Sequence, residues 1–473
     1  MEYARYSTAL KTLSVAVLAG AAVLFFGGAT ANAKTIPITP ENISDQLKNA
    51  SDGDVLELSA DKPYDGDYTI EKDIDIKSAE SSRAKVSGSF TIKHSGVSIS
   101  GIDFKADKKV PTPISLDGDI LDNVTIKDNI FYGQNLRTIN GKVIGQINNL
   151  NIEGNDFKKG SASSHDILLV SNRDSTGIRI TNNKFQETVQ IRGNFDPKQP
   201  LSYVTAEYNG NSWNVGNTTA LMMWNNKDTV LNNTTIDDTR SNTEPKPDKN
   251  VVVFGGGNKN ITVNNMAIKG HYDNAITMSA NAKWSGGESY NQENHDTTFN
   301  NLNISGARWN GINLYGGNSN VTINSSTINA GNTPINIEKS DSYPTGNTNV
   351  RILGSTKLSS SNGKPVLNVA KGGMTEGSKL SVDCNTVMNG SANNYGDSDM
   401  SSIDHQCKPD TKDDNDTKIE VTKPIDEDKS GKSAVIAAPN TGVETDDNIA
   451  GIAIISVILS ATALFGYRKY ARR

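Results

Sequence analysis

The chain has 473 residues, of which only 35% are hydrophobic and 6% aromatic, less than one compact globule of this length normally carries. Its 47 Lys and Arg against 53 Asp and Glu leave a net charge of −6 without a basic patch, which excludes a nucleic-acid footprint. Asn, Gly, Ser and Thr replace the missing apolar residues, a composition that suits a long, thin architecture with a narrow core.

Lys11 precedes an apolar stretch from Leu13 to Phe26, Gly27 and Gly28 end it, and Ala31-Asn32-Ala33 places small residues at the cleavage positions. Residues 1–33 therefore read as a secretory signal peptide. Next, Thr39 as N-cap with Pro40 behind it predicts a short amphipathic helix carrying Ile43, Leu47 and Ala50. Asp52-Gly53-Asp54 and a strand at Val55–Leu58 follow.

From there a short pattern recurs roughly every 24 to 36 residues, with apolar residues at its first, third and eighth positions and a small polar or apolar residue at its sixth. Examples are Val97, Ile99, Ile102, Phe104; Val124, Ile126, Asn129, Phe131; Leu150, Ile152, Asn155, Phe157; and Ile178, Ile180, Asn183, Phe185. The register continues through Val204, Ala206, Asn209 to Val321, Ile323, Ser326, Ile328 and Val350, Ile352, Ser355. Between copies lies a second alternating segment, as in Ile167/Leu169, Val189/Ile191, Ile276/Met278 and Leu367/Val369. Alternation with period two signals strands with one buried face. No copy can bury that face alone, so the copies must stack into a continuous column. Asn129, Asn155, Asn183 and Asn209 would then form a ladder of side-chain amides along the axis. The expected class is all-β, a right-handed parallel β-helix over residues 34–407 with a short helix capping its N-terminal end.

This pattern resembles the pectate-lyase-like superfamily of right-handed β-helices over roughly residues 35 to 405. The resemblance implies a ligand on the outward face of one sheet. Alternation assigns that face in the second segment: one column is Leu168, Gln190, Met222, Val253, Thr277, Asn313, Asn336, Asn368, and its neighbour is Val170, Arg192, Trp224, Gly255, Ser279, Tyr315, Glu338, Ala370. Arg192, Trp224, Tyr315 and Glu338, with the loop residues Trp284 and Trp309, are the candidate glycan-binding side chains, because flat rings cover the apolar face of a pyranose while amides and cations bond its hydroxyls. His271, Tyr272, Tyr290 and Arg308 flank the same face. A solvated sheet carrying stray aromatics is the alternative. Catalysis has less support. The superfamily's lyases use an Arg or Lys base beside calcium-binding carboxylates, and its hydrolases clustered aspartates. Here Arg192 and Glu338 lie too far apart along the column to meet, and His165-Asp166 and His271 near Asp273 are single pairs.

Cys384 and Cys407 are the chain's two cysteines, and an isolated pair in an exported protein is expected to form one disulfide, with two free thiols as the alternative. Residues 408–437 crowd charges with almost nothing apolar and read as a disordered stalk. Ala438-Pro439-Asn440-Thr441-Gly442 precedes an apolar run from Ile449 to Phe465, placed in a transmembrane segment at 448–467, and a basic tail at 468–473. That order resembles the Leu-Pro-x-Thr-Gly sorting signals of sortase substrates, with Ala438 in place of leucine. The resemblance implies that a sortase cleaves after Thr441 and joins its carbonyl to peptidoglycan.

The expected protein is thus a secreted, wall-anchored surface rod that binds glycans or another cell surface, adhesin-like. The alternatives are a wall-tethered polysaccharide lyase or glycoside hydrolase, and a purely structural rod. The expected partners are a sortase, peptidoglycan and a polysaccharide or cell-surface ligand. No cofactor is expected unless the chain is a lyase, in which case calcium is implied.

Overall fold

The computed structural model describes residues 33–406, apart from 80–81, 106–111, 133–134, 159–161, 195–199, 217, 240–249, 271–272, 284–288 and 341–342. Each turn of the chain contributes one strand to each of three long sheets. Sheet A has 15 strands from Thr35–Ile38 to Ile403–His405, sheet B 12 from Lys85–Val86 to Val387–Asn389, and sheet C 12 from Asp67–Ile70 to Leu367–Val369. Neighbouring strands in each are parallel, and successive strands of one sheet come from successive coils, as in Ile126 beside Ile152 and Ile152 beside Ile180. The fold is a right-handed parallel β-helix, the hand that parallel crossovers almost always take.

The sequence repeat maps onto this coil with one refinement. Its first and third positions belong to sheet A, its eighth to sheet B, and the alternating segment to sheet C. Inward residues of all three sheets meet in one continuous core. On the sheet B side the core is a pile of rings. Phe104, Phe131, Phe157, Phe185 and Trp213 stack with centroids 4.8–5.0 Å apart, close to the spacing of the strands that carry them.

The sixth position sits at the corner between sheets A and B. The residue before it takes a left-handed conformation in coil after coil, as at Asp128, Gly154, Asn182, Gly210 and Asn233, which accounts for much of the Asn and Gly in the composition. Asn129, Asn155 and Asn183 turn inward there, are almost fully buried, and form the expected ladder: each backbone N–H and each side-chain amide donates to the next coil's Oδ1 at 3.0–3.1 Å. The fourth rung is Asn211 and not Asn209. The sheet A strand of that coil, Val204–Asn209, has three inward residues, Val204, Ala206 and Tyr208, which moves the corner two residues along. A similar slip occurs at Ser355, which is exposed; Gly354 adds a residue to the corner, and Thr356 is the inward one, accepting from the Ser326 N–H at 3.3 Å.

A second inward ladder, not read from the sequence, occupies the corner between sheets C and A. It comprises Asn226, Asn258, Asn294, Asn318 and Asn347, linked by bonds of 2.8–3.1 Å. It begins in the coil where the first ladder ends.

The capping helix is Ile43–Asn49, with Ile43, Leu47 and Ala50 in the core. Its N-cap is Asn42 and not Thr39. The Asn42 side chain accepts the Thr39 N–H at 2.8 Å, and the Thr39 carbonyl accepts from Asn42 and Ile43, so Thr39 and Pro40 form a turn leading into the helix. At the other end Cys384 is disulfide-bonded; Cys407 lies outside the described residues, as do the signal peptide, the stalk, the pentapeptide 438–442 and the apolar run. Among the described residues no helix is long and apolar enough to cross a membrane.

Candidate functional site

One outward column of sheet C is continuous and the other is paired at three steps. Cα partners run Leu168, Gln190, Met222, Val253, Thr277, Asn313, Asn336, Asn368 without a slip. In the second column Val170 pairs with Arg192, Ser279 with Tyr315 and Tyr315 with Glu338. Trp224 rests on Gly255, where a Cβ would fall 1.8 Å from the indole Nε1, so glycine is required under the ring. Trp224 and Tyr315 stand three coils apart, about 14 Å at the usual strand spacing.

The columns are not a uniform solvated face. Leu168 and Val170 are 7% exposed and Arg192 only 6%, although all three alternate outward, so these side chains lie beneath the surrounding surface, in a recess covered from solvent. Arg192 was expected as an exposed groove residue. Burial instead pushes its guanidinium down to about 10.

Into the same recess the preceding coils bring Arg137 and His165, whose Cα atoms pair across sheet C. The pairing has irregularities between Asn135 and Arg137 and between His165 and Ile167, which re-aim these side chains away from simple alternation. The His165 ring bonds Ser164 through Nδ1 and Gln190 Oε1 through Nε2 at 3.1 Å. Gln190 Oε1 can only accept, so Nε2 carries the proton and Nδ1 accepts from the Ser164 hydroxyl. Burial pushes this imidazole down to about 4; the Gln190 bond opposes that, and the charges of Arg137 and Arg192 add to it. The result is a neutral ring that feels the charge of both guanidiniums.

Asp166, fully buried, accepts the backbone N–H of Gln186 and Glu187 at 2.7 and 2.8 Å and so fixes the turn into the next strand. Glu187 itself is pushed up to about 8, by burial first and by the Asp166 charge second. It precedes Thr188, whose Cα pairs with His165, so it lies at the His165 end of the strand, five residues from Arg192. Its folded form keeps a proton that the unfolded chain loses above about 4.5, so its contribution to stability is full below that pH and lost as pH rises to about 8. His165 works in the opposite sense: its contribution is full above about 6.5 and lost as pH falls to about 4. Thermal midpoints are therefore expected to fall between about pH 6.5 and 8, and Glu187→Gln to flatten that limb. An unchanged slope in the variant would mean that the carboxyl is not held protonated.

The other candidates are placed apart. Glu338 lies five coils from Arg192 and accepts from Asn313 Nδ2 at 3.0 Å. It ends a chain of amides in which Asn368 donates to Asn336 at 2.6 Å and Asn336 to Asn313 at 2.9 Å. Trp309 is 38% exposed at the turn into Asn310–Tyr315. Asp273 is fully buried and pairs with Arg308 Nη2 at 3.0 Å, a structural role. Trp284, His271 and Tyr272 lie outside the described residues. Among the described residues no three His, Cys, Asp or Glu side chains come together to hold a metal, and no step is routed through one.

No family model matches the chain, and no curated protein matches it. Among solved structures it is similar to a mannuronic-acid-specific family 6 polysaccharide lyase from human gut microbiota, at 12% identity over 80% of this chain and 92% of that one, TM-score 0.47. It is also similar to the catalytic unit of a thermostable GH87 α-1,3-glucanase from Streptomyces thermodiastaticus, at 10% identity over 80% and 70%, TM-score 0.45. An alginate lyase from Paenibacillus is matched at 15% identity over 68% and 99%, TM-score 0.28. At these values the likenesses carry no statement about the chemistry of this chain.

Proposed function

We propose that this protein is a wall-tethered polysaccharide lyase acting on an acidic glycan, and not the non-catalytic adhesin that composition and aromatics alone suggested. One observation carries the reading: Arg192, an outward-facing cation of sheet C, is only 6% exposed and, with Arg137, lies within electrostatic reach of the neutral His165 imidazole. A buried cation and a strongly perturbed histidine from neighbouring coils mark a candidate functional site. In the proposed reaction Arg137 holds a uronate carboxylate. Arg192, through its small neutral fraction, takes the proton from the adjacent carbon. The electron pair left behind forms a carbon–carbon double bond as the glycosidic C–O bond breaks, and Arg192 returns the proton to the leaving oxygen. Ser164, His165 and Gln190, bonded in series, position the substrate between the two cations. Secretion and wall attachment through Thr441 are part of the proposal and rest on the signal peptide and the pentapeptide in the sequence.

The full chain, incubated with polymannuronate, polygalacturonate, hyaluronan and a neutral α-1,3-glucan, is expected to release ultraviolet-absorbing unsaturated ends from at least one of the uronates. Reducing ends without that absorbance would make it a hydrolase. Binding without new ends would restore the adhesin.

A further inference from the structure

Four coils beyond Arg192, at the turns from sheet B to sheet C, three successive coils line an open recess of about 420 Å³. That lies within the roughly 300–1,000 Å³ of small-ligand sites. Arg308 and Trp309 line it from one coil, Gly331 and Asn332 from the next, and Ser361 and Asn362 from the third. Its floor is backbone. A Cβ on Gly331 would come within 2.4 Å of the Arg308 carbonyl oxygen, so glycine lets the two backbones approach here.

Trp309 presents an exposed ring on a fixed base. Its N–H donates to the Asp273 carbonyl at 2.9 Å and its carbonyl accepts from Asn332 at 2.9 Å. Arg308 is the one charged residue in the lining, and the buried Asp273 carboxylate neutralises it at 3.0 Å. The recess therefore offers a flat apolar face, two amides, a hydroxyl and no net charge, the opposite of the cationic recess around Arg192.

We propose that this second recess is a subsite for an uncharged sugar, which stacks a pyranose on Trp309 and bonds its hydroxyls through Asn332, Ser361 and Asn362. It rests on the reading of the chain as carbohydrate-active and adds a ligand class that the Arg192 site does not take. The protein would hold a neutral residue, a branch or a neutral block about 19 Å along the axis from the uronate at the cationic recess and about 20 Å across sheet C from it.

The test uses the full chain with maltohexaose, laminarihexaose and chitohexaose as neutral probes and a hexamannuronate as the acidic one, followed by calorimetry and tryptophan fluorescence. At least one neutral probe is expected to bind and to quench fluorescence. Trp309→Ala should weaken that binding tenfold or more with the acidic probe unaffected, Trp309→Phe should retain part of it, and Arg192→Gln should do the reverse. Neutral binding that is indifferent to Trp309→Ala and Trp309→Phe, or a chain that binds the acidic probe and no neutral one, overturns the subsite. If no probe of either class binds, the carbohydrate reading itself fails.

Discussion

Asn155→Ala is expected to lower the stability of the rod by about 3–5 kcal/mol, more than most single substitutions at a polar residue. Asn155 Oδ1 accepts from both the backbone and the side chain of Asn129, at 3.0 and 3.1 Å. Its Nδ2 donates to the Ile126 carbonyl at 2.9 Å and to Asn183 Oδ1 at 3.0 Å. Alanine leaves the two Asn129 donors buried without their acceptor, each at a cost of about 1–3 kcal/mol, and takes the amide donor from the Ile126 carbonyl. Water cannot relieve them, since the position is 1% exposed and the coils above and below close over it. The denaturant midpoint should fall with an unchanged slope. A loss below about 1 kcal/mol would mean that the column relaxes to re-pair these groups, and that the ladder specifies register more than it stabilises.

Arg192→Ala is expected to reduce kcat/KM on an acidic polysaccharide by about 100-fold or more, the scale of losing a preorganised charged group from an active site. A thermal midpoint measured beside the kinetics separates lost catalysis from lost folding, since Arg192 also donates to the Gly193 carbonyl at 3.2 Å. Arg192→Lys should restore activity only in part, since the ammonium is a base of the right kind but does not place its nitrogen where the guanidinium fork does. Arg137→Ala should act differently, raising KM and flattening the salt dependence of binding while leaving more of kcat. Equal losses in kcat and KM from both variants would contradict the division of labour between clamp and base. Full activity in Arg192→Ala would remove this recess from the mechanism.

The sheet C face was readable because side chains alternate with period two and each column therefore carries over from strand to strand; Leu168 through Asn368 needed only counting. Corners are where the reading slipped. Asn209 and Asn211 flank Gly210 symmetrically, and nothing in the local sequence says that Tyr208 points inward and lengthens the strand. The second amide ladder did leave a trace, in Gly256-Gly257-Asn258 and Gly316-Gly317-Asn318, where two glycines precede the inward asparagine. The cationic recess left almost none. Arg137, His165 and Arg192 come from three successive coils, and two of them are aimed by irregular pairing that periodicity does not contain. Glu187 was passed over because its altered titration comes from burial against Asp166, a property of the turn and not of any motif.

The hand-over between the two amide ladders has a consequence for how such a chain can change over generations. The rungs are 24 to 36 residues apart, yet each advances the column by the same step, so the excess length is spent in side loops. Recombination that joins one rung asparagine to the residue after another, such as Asn155 directly to Lys184, would excise a whole coil and leave Asn155 facing Asn211 in register. Duplication would insert one equally well. Gains or losses of coils between Arg192 and Trp309 would alter the axial distance between their recesses only in increments of about 4.8 Å, close to the length of one sugar residue. The gene could thus retune the length of glycan spanned by copy number alone, without redesigning either end.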